Sequence, residues 1–433
     1  MPKAITVLVI VLFLTTGAVF GSGFSIYEHG AKATAMGGAF IAQANDVTSV
    51  FYNPAGITSL DGTNFGLGVT LIMPEFGFTG PTGVSTEKTD AEKLVFYPPH
   101  LYITHKFNDQ WSAGFGVYTL YGLASEWPED WVGRELNLKT ELRTFFFNPV
   151  IAYKPVENLS IAAGVSLVYG DVTMNQDILA AGPPLVPAPI YVGWNLEGST
   201  TAWGFNFGLK FQATEQLAIG ANYRHNVKLK FDEGDATFAI PTTGIPQIDG
   251  LLQASFPAST TGSAEIELPN LIGLGISYDF TEQLTAEFDW MQLGWSSYDK
   301  LVLTLNDPVG PPGDQTNTIE DDKNYEDSYS LRFGLEYRLN ESWAIRAGYL
   351  RDNNAVPDAY VEPTLPENKR HLYSLGFGWK SDNFSVDGYG MMLTQDDREI
   401  TNSEKTILGG VPFNGMYEGS AWLFGLTFGY AIK

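Results

Sequence analysis

Along most of the chain, large apolar residues alternate with small or polar ones at every second position. The clearest run is residues 203–211, where every odd position is large and apolar and every even one is Gly, Asn or Lys. The same alternation recurs in residues 217–224, 331–338 and 343–349. A period of two is typical of a β-strand whose two faces meet different surroundings. Because charges occupy one parity of each run, these runs predict strands with one face toward lipid and the other toward a polar lumen.

Short and long connections alternate between the predicted strands. The long ones lie at about 124–138, 172–198, 233–262, 306–326, 352–368 and 395–417. The short polar turns lie at 107–110, 154–158, 213–216, 280–283, 339–342 and 380–383. Six short turns join twelve strands, and one strand before them (about 64–72) and one after them (about 419–432) bring the total to 14.

This arrangement predicts an all-β fold, a 14-stranded antiparallel transmembrane β-barrel with its short turns in the periplasm. A closed barrel leaves no unpaired backbone edge in hydrocarbon. A soluble all-β protein, such as a propeller or a pair of sandwiches, is the alternative. It agrees less well with long strands whose apolar face is repeatedly aromatic.

The N-terminal residues do not follow the barrel pattern. Lys3, an apolar run from Ala4 to Phe20 and small residues at 21–23 predict a signal peptide over residues 1–21. A single membrane anchor is the alternative, although the run is at the short end of the spanning range. Residues 22–62 are rich in Ala and Gly, and we expect them to form a plug inside the barrel, here called the hatch, or alternatively a periplasmic tail. Residues 63–433 are then the barrel.

The composition removes several classes of protein. The chain has no cysteine, which excludes disulfide scaffolds, thiolate metal sites and cysteine nucleophiles. A net charge of −24 argues against nucleic acid as a partner, because phosphates would be repelled. Charged residues make up only 17% and aromatic residues 14%, a combination that favours a membrane barrel with aromatic girdles over a soluble acidic protein.

Several blocks in a fixed order resemble the FadL/TodX (OMPP1) family of outer-membrane long-chain fatty-acid and hydrocarbon transporters. They lie at residues 23–30, 35–40, 45–56, 121–153 and 343–370. The resemblance implies a hatch-plugged 14-stranded barrel in the outer membrane of a Gram-negative bacterium. It also implies that ligand is captured near the extracellular loops and leaves sideways where the third strand is kinked.

Two sets of residues are candidates for the moving parts. The Asn-Pro-Ala motif of the family corresponds to Asn53, Pro54 and Ala55, which we expect to form the pivot of the hatch, or alternatively a rigid turn that packs the plug. The third strand is residues 111–122. Its glycines are candidates for the kink, since glycine in a strand often marks a bend; alternatively they face a crowded hatch. They are Gly114, Gly116 and Gly122.

A fatty-acid ligand would present a carboxylate, for which arginine is a suitable partner. The candidate contacts are Arg134, Arg224, Arg332, Arg338 and Arg346. The alternative is that these arginines pair with lumen acids and stabilise the wall; the expected acids are Glu287, Asp289, Glu336 and Asp387. The apolar loop stretches 179–190 and 245–256 predict an external groove that collects ligand, or a cover that packs over the barrel mouth.

We expect no catalytic residues, no metal and no cofactor. Five histidines and the lack of a Gly-x-Ser-x-Gly motif give little support to an outer-membrane lipid hydrolase. A general porin would lack the hatch and would line its lumen with more charge. The expected function is passive uptake of a hydrophobic compound, with long-chain fatty acids as the first expectation and aromatic or alkane hydrocarbons as the alternative. The expected partners are this ligand and outer-membrane lipid or detergent, and a monomer is expected.

Overall fold

The computed structural model describes residues 23–432 apart from residues 183–185, 187 and 314, so the predicted signal peptide lies outside the described residues. The described residues form a closed antiparallel β-barrel of 14 strands, which confirms the predicted fold class. In chain order the strand segments are β1 (Thr63–Thr79), β2 (Lys88–Asp90), β3 (Pro99–Lys106), β4 (Trp111–Tyr118), β5 (Gly122–Glu126), β6 (Lys139–Val156), β7 (Leu159–Ala181), β8 (Ile190–Gln212), β9 (Leu217–Arg224), β10 (Val227–Ala239), β11 (Ser259–Leu268), β12 (Leu271–Asp279), β13 (Leu284–Leu293), β14 (Lys300–Val309), β15 (Thr316–Asp322), β16 (Ser328–Arg338), β17 (Trp343–Asp352), β18 (Arg370–Lys380), β19 (Phe384–Gln395), β20 (Arg398–Ile400), β21 (Thr406–Ile407), β22 (Val411–Pro412) and β23 (Gly415–Ile432).

Several barrel strands are interrupted and consist of two segments each. They are β2 with β3, β4 with β5, β9 with β10, β11 with β12, β13 with β14, and β15 with β16. The first and last strands close the barrel, because β1 pairs with β23 along its whole length, from Thr63 opposite Ile432 to Thr79 opposite Met416. The closing pair therefore leaves no free sheet edge at the seam.

The short turns are closed by side chains of their own residues. The Asn108 Oδ1 atom accepts the amide N–H groups of the residues two and three positions later, at 2.9 and 3.0 Å, and Asn340 does the same at 2.9 Å for both. Thr214 and Thr281 close their turns with the hydroxyl oxygen. Short polar side chains commonly stabilise tight turns in this way. All six predicted short turns lie between consecutive barrel strands.

The two faces of each strand differ as the alternation predicts. On β8 the outward side chains of Trp203, Phe205 and Phe207 are 71%, 40% and 49% exposed, whereas the inward Asn206 is 2% exposed. Outward aromatic and aliphatic residues recur around the barrel, which is the surface that a bilayer covers.

One of the predicted long loops, at residues 172–198, is wrong over much of its length. Strand β7 continues to Ala181 and β8 begins at Ile190, so most of the region from 172 to 198 is a paired hairpin. The outward positions change from apolar to polar between Tyr169 and Asp171. The strands therefore leave the bilayer while their backbone pairing continues. The point at which the outward positions stop being apolar does not mark the end of the strand.

The N-terminal segment, residues 23–62, lies inside the barrel. It contains helices α1 (Ala31–Ala35) and α2 (Ser49–Tyr52) and the 3₁₀ helix Pro54–Ser59, and nearly all its residues to Thr58 are buried. A further helix, α3 (Pro246–Ser255), and the 3₁₀ helices Trp295–Ser297 and Asp358–Tyr360 lie in the loops. Among the described residues, no helix has the length and apolar character needed to cross a membrane.

Candidate functional site

The third barrel strand is broken between β4 and β5. Strand β3 pairs with β4 only as far as Leu101 opposite Val117, and residues 119–121 lie outside the ladder before β5 resumes at Gly122. The adjacent β6 pairs with both β4 and β5, so the break weakens the wall on the β3 side.

The three candidate glycines do not all lie at this break. Gly114 and Gly116 are in regular register with both β3 and β6, and only Gly122 borders residues 119–121. A Cβ atom added at Gly114 or Gly116 would lie 2.8 or 3.0 Å from a methyl carbon of Val50. The geometry at these two positions thus corresponds to the alternative reading, in which glycine makes room for the N-terminal segment.

The N-terminal segment covers the break from inside the barrel. The Ile26 amide donates to the Leu120 carbonyl oxygen at 2.7 Å, and the Gly122 amide donates to the Phe24 carbonyl oxygen at 2.9 Å. Ser25 lies opposite Tyr121 as an antiparallel pair. Three residues of the segment therefore act as a short extra strand where the wall has lost its own pairing.

A histidine adds a contact beside this pair. The ring of His29 is buried, and its Nε2 atom lies 2.6 Å from the Thr119 carbonyl oxygen, to which it donates. Burial lowers the pKa of His29 from 6.5 to about 4, so the ring is neutral when the segment is in place.

The Phe24 ring occupies a pocket of aromatic side chains. Its centroid lies 4.5 Å from that of Trp295, 5.9 Å from Tyr298 and 6.3 Å from Tyr121, each in an edge-to-face arrangement. Such pairs stabilise through the ring quadrupole in addition to apolar burial. A pocket lined by aromatic rings can hold an apolar group whether or not the rest of the ligand carries a charge.

An extracellular loop holds the start of the segment. One carboxylate oxygen of Glu367 accepts the Gly23 amide at 2.6 Å, and the other accepts the amides of Ala355 and Val356 at 2.9 and 3.1 Å. Burial raises the pKa of Glu367. The loop after β17, the aromatic pocket and the strand break are thus connected through residues 23–26.

The Asn-Pro-Ala motif is buried and tightly bonded. The Asn53 Oδ1 atom accepts the Ala55 amide at 3.2 Å, while its Nδ2 atom donates to the carbonyl oxygens of Ile41 and Leu209 at 2.8 and 2.9 Å. Pro54 begins the following 3₁₀ helix. Asn53 therefore joins the turn to another part of the segment and to strand β8.

Three of the candidate arginines pair with acids. Arg346 lies 2.7 Å from both Glu336 and Asp387, and Arg338, at the periplasmic rim, lies 3.5 Å from Glu336. These side chains line a polar cavity of about 380 Å³ at that end of the lumen. Arg134, in an extracellular loop, lies 2.5 Å from a carboxylate oxygen of Asp177 and stacks on Tyr191 at 4.9 Å.

The other two arginines contact the N-terminal segment. Arg224 donates to the Phe51 carbonyl oxygen at 2.5 Å and to the Tyr118 hydroxyl at 2.7 Å. Arg332 donates to the Gly38 carbonyl oxygen at 3.3 Å and lies over the Tyr27 ring at 4.4 Å. All five arginines therefore have protein partners, although Arg224 and Arg332 bond carbonyl oxygens of the N-terminal segment and not the lumen acids.

An apolar groove lies on the extracellular side. The cavity, of about 390 Å³, is lined by Leu179 from the β7 end and by Leu251, Leu252 and Phe256 from the region of α3. The structure thus brings the two predicted apolar loop stretches together. A larger apolar concavity of about 710 Å³, lined by residues such as Phe207, faces outward toward lipid and is outside the lumen. Within the described part of the chain, no group of three His, Cys, Asp or Glu side chains is placed to hold a metal ion.

Sequence reasoning did not find the aromatic pocket or Glu367. Trp295 and Tyr298 lie between the predicted turn at 280–283 and the predicted loop at 306–326, where a barrel strand was expected, and Glu367 resembles any loop acid. Their only sequence signal was proximity to recognisable blocks, such as the one that ends at residue 370.

Known proteins share this architecture. A family model described as outer membrane protein transport protein (OMPP1/FadL/TodX) matches residues 12–432. The chain is 25% identical over 450 residues to a long-chain fatty acid transport protein of Escherichia coli O6:H1, covering 98% of each chain. The crystal structure of a Pseudomonas aeruginosa FadL homologue superimposes with a TM-score of 0.80 at 20% identity, covering 96% of this chain and 100% of that one. The toluene transporter TodX of P. putida does so with a TM-score of 0.71 at 14% identity, covering 94% and 99%.

The match spans nearly the whole chain, and the two solved structures share its fold. The family consists of outer-membrane transport proteins, which confirms the predicted location and the prediction that the chain is not an enzyme. This chain therefore belongs to the OMPP1/FadL/TodX family of outer-membrane transport proteins.

Proposed function

We propose that this transporter takes up long-chain fatty acids passively, and that residues 22–62 act as its hatch. Ligand enters the extracellular groove, moves into the aromatic pocket in place of Phe24, and leaves sideways between β3 and the broken third strand. The observation that carries the proposal is the pairing of residues 24–26 with residues 120–122. Displacing Phe24 also removes this pairing, and it leaves the broken part of the third strand without a partner on the inside.

The energetics favour an apolar path. A long acyl chain gains on the order of ten kcal/mol when its methylenes leave water, at ~0.8 kcal/mol each. This gain has to displace Phe24, and differential binding to the displaced arrangement shifts the segment between its two positions. Because all five candidate arginines are engaged, recognition in this proposal rests on the acyl chain and does not require a dedicated carboxylate clamp.

The choice of fatty acid is supported by the relative from E. coli, whose name states that ligand. A second candidate is a monoaromatic hydrocarbon. The pocket already holds a single six-membered ring, that of Phe24, and TodX is named a toluene transporter.

Uptake of a radiolabelled C18 fatty acid tests the ligand, in bacteria that lack their own fatty-acid transporter, with toluene as competitor. Restored uptake without competition supports the fatty acid. Toluene uptake that a C18 fatty acid does not inhibit would move the assignment to hydrocarbons.

A disulfide tests the route. Ser25 and Tyr121 form a non-hydrogen-bonded antiparallel pair, whose Cα atoms lie about 4.5 Å apart, within the range of a disulfide. The chain has no cysteine, so Ser25→Cys with Tyr121→Cys gives a single possible bridge. We expect oxidation to abolish uptake and reduction to restore it, with each single variant as a control. Full uptake by the oxidised protein would refute the lateral route.

A further inference from the structure

A short stretch of the N-terminal segment is held by carboxylates of the wall. Residues 40–43 form an irregular turn whose four amide groups all point to strand β13. Asp289 accepts the amides of Phe40 and Ile41 at 2.8 and 3.0 Å. Glu287 accepts the Ala42 amide at 2.6 Å and the Gln43 amide at 3.1 Å. Both acids are fully buried, so no water competes for these bonds.

The carbonyl groups of the same stretch are also bonded. Asn53 donates to the Ile41 carbonyl oxygen at 2.8 Å, and the Lys210 ammonium donates to the Gln43 carbonyl oxygen. The wall beneath is flat because of glycine: a Cβ atom at Gly220 would overlap the Ile41 backbone, and one at Gly275 would lie 2.9 Å from the Ile41 Cβ atom. Residues 40–43 are therefore bound through all four amide groups and through the Ile41 and Gln43 carbonyl groups.

The contacts at residues 23–29 are of a different kind. They consist of one short antiparallel pairing, one buried aromatic ring and single bonds from His29 and Glu367. In addition, the Tyr52 and Thr70 hydroxyl groups donate to the Tyr27 and Glu28 carbonyl oxygens at 2.7 and 2.8 Å, and Arg332 lies over the Tyr27 ring. An apolar ligand can replace the ring contact, whereas it offers nothing in exchange for four amide-to-carboxylate bonds. Moving residues 40–43 away would leave the buried carboxyl oxygens unpaired, and an unpaired buried acceptor costs more than the hydrogen bond itself contributes.

We infer that residues 40–43 are a fixed anchor and that transport moves only the part of the segment that precedes them. Glu287 and Asp289 are positioning residues. They hold residues 40–43 and the part of the hatch that follows in the lumen, while the part that precedes residue 40, the front of the hatch, leaves the strand break. Asn53 belongs to the fixed part, which differs from its predicted role as a pivot. The inference rests on the proposed function and specifies which part of the hatch moves.

A second disulfide tests the anchor. A Cβ atom at Gly66, on the inner face of β1, would lie 3.6 Å from the Cβ atom of Val47, a separation that suits a disulfide. Val47 follows the anchor by four residues. We expect oxidised Val47→Cys with Gly66→Cys to take up the C18 fatty acid at the wild-type rate. Uptake that is lost on oxidation and recovered on reduction would overturn the anchor, as would failure of the two cysteines to bridge in the folded barrel.

The two bridges separate this inference from the proposed function. If the bridge at 25 and 121 blocks uptake while the bridge at 47 and 66 does not, both hold. If both block, the anchor fails and the lateral route remains. If the bridge at 25 and 121 does not block, the proposed route itself fails.

Replacing the two carboxyl groups by amides gives an independent readout. We expect Glu287→Gln with Asp289→Asn to raise the ionic current through the barrel in planar bilayers on the order of tenfold or more, which corresponds to the loss of at least one buried hydrogen bond. Asp387→Asn is the matched control, because Asp387 lies in the same lumen but bonds Arg346. An unchanged current in the folded double variant would contradict the inference. If the double variant does not fold, Glu287→Gln alone is measured by the same criterion.

Discussion

Lowering the pH should release the front of the hatch through one residue, His29. Its Nε2 atom donates to the Thr119 carbonyl oxygen at 2.6 Å, and its Nδ1 atom has no hydrogen-bond partner among the described residues. The ring packs against the buried rings of His100 and Tyr118, at 5.9 and 5.7 Å, and the nearby Arg224 also disfavours a second charge. Protonated His29 is therefore poorly accommodated in the closed arrangement.

The size of the effect follows from the pKa. Burial lowers the pKa of His29 from 6.5 to about 4 in the closed state, whereas a released segment regains the ordinary value in water. Above pH 6.5 both states are neutral and the closed state keeps its full stability. Between pH 6.5 and 4 only the released state binds the proton, so the closed state loses stability as pH falls. At pH 5 the difference is about 2 kcal/mol, or on the order of 30-fold in the opening equilibrium.

Thiol labelling measures this equilibrium. A single Ser25→Cys variant is labelled with a maleimide between pH 7.5 and 5, with and without His29→Gln, which keeps a donor for Thr119 but does not titrate. Dividing the two rates at each pH removes the ordinary pH dependence of the thiol. We expect the labelling rate with His29 present, divided by the rate with His29→Gln, to rise about 30-fold by pH 5. A ratio that stays constant over this range would refute the reasoning.

Further predictions concern the pocket, the groove and the arginines. Phe24→Ala removes a buried ring beside Trp295, at a cost of about 3–5 kcal/mol to the closed arrangement, and should raise maleimide labelling at position 25, whereas Phe24→Leu should change it much less. Leu252→Asp should raise the fatty-acid concentration needed for half-maximal uptake and leave the rate at saturation unchanged; a fall in the saturated rate alone would count against capture in the groove. Arg338→Gln should leave the uptake ratio of a fatty acid to its alcohol unchanged, because the guanidinium already pairs with Glu336. A shift in that ratio would return Arg338 to the ligand path.

Much of the barrel could be predicted because its determinants are local. The alternation from Trp203 onward fixes which side chains meet lipid, and Asn108 and Asn340 close their turns with their own side chains. Strand extent was harder to predict, since β7 and β8 continue in water, where the outward positions no longer need to be apolar.

The candidate site could be predicted only in outline, because its determinants are distant in sequence. The break at residues 119–121 reads Thr-Leu-Tyr, which contains no breaker and would suit an unbroken strand. Glu287 and Asp289 were recognised as lumen acids, but their partners are amide groups of a turn, and an amide carries no side-chain signal of its own. The arginines were placed on the correct face, yet facing the lumen does not distinguish a ligand from a protein partner.

The anchor also has a consequence for how the protein assembles. Phe40 bonds Asp289 across 249 positions of sequence, and Gly23 bonds Glu367 across 344. Contacts this remote close slowly, since the intervening chain has to be ordered first. The N-terminal segment is thus synthesised early and is among the last parts of the chain to find its partners. Filling of the lumen and closure of the β1–β23 seam are therefore late events of folding, and a nascent chain that ends before β13 lacks the carboxyl groups that bind residues 40–43.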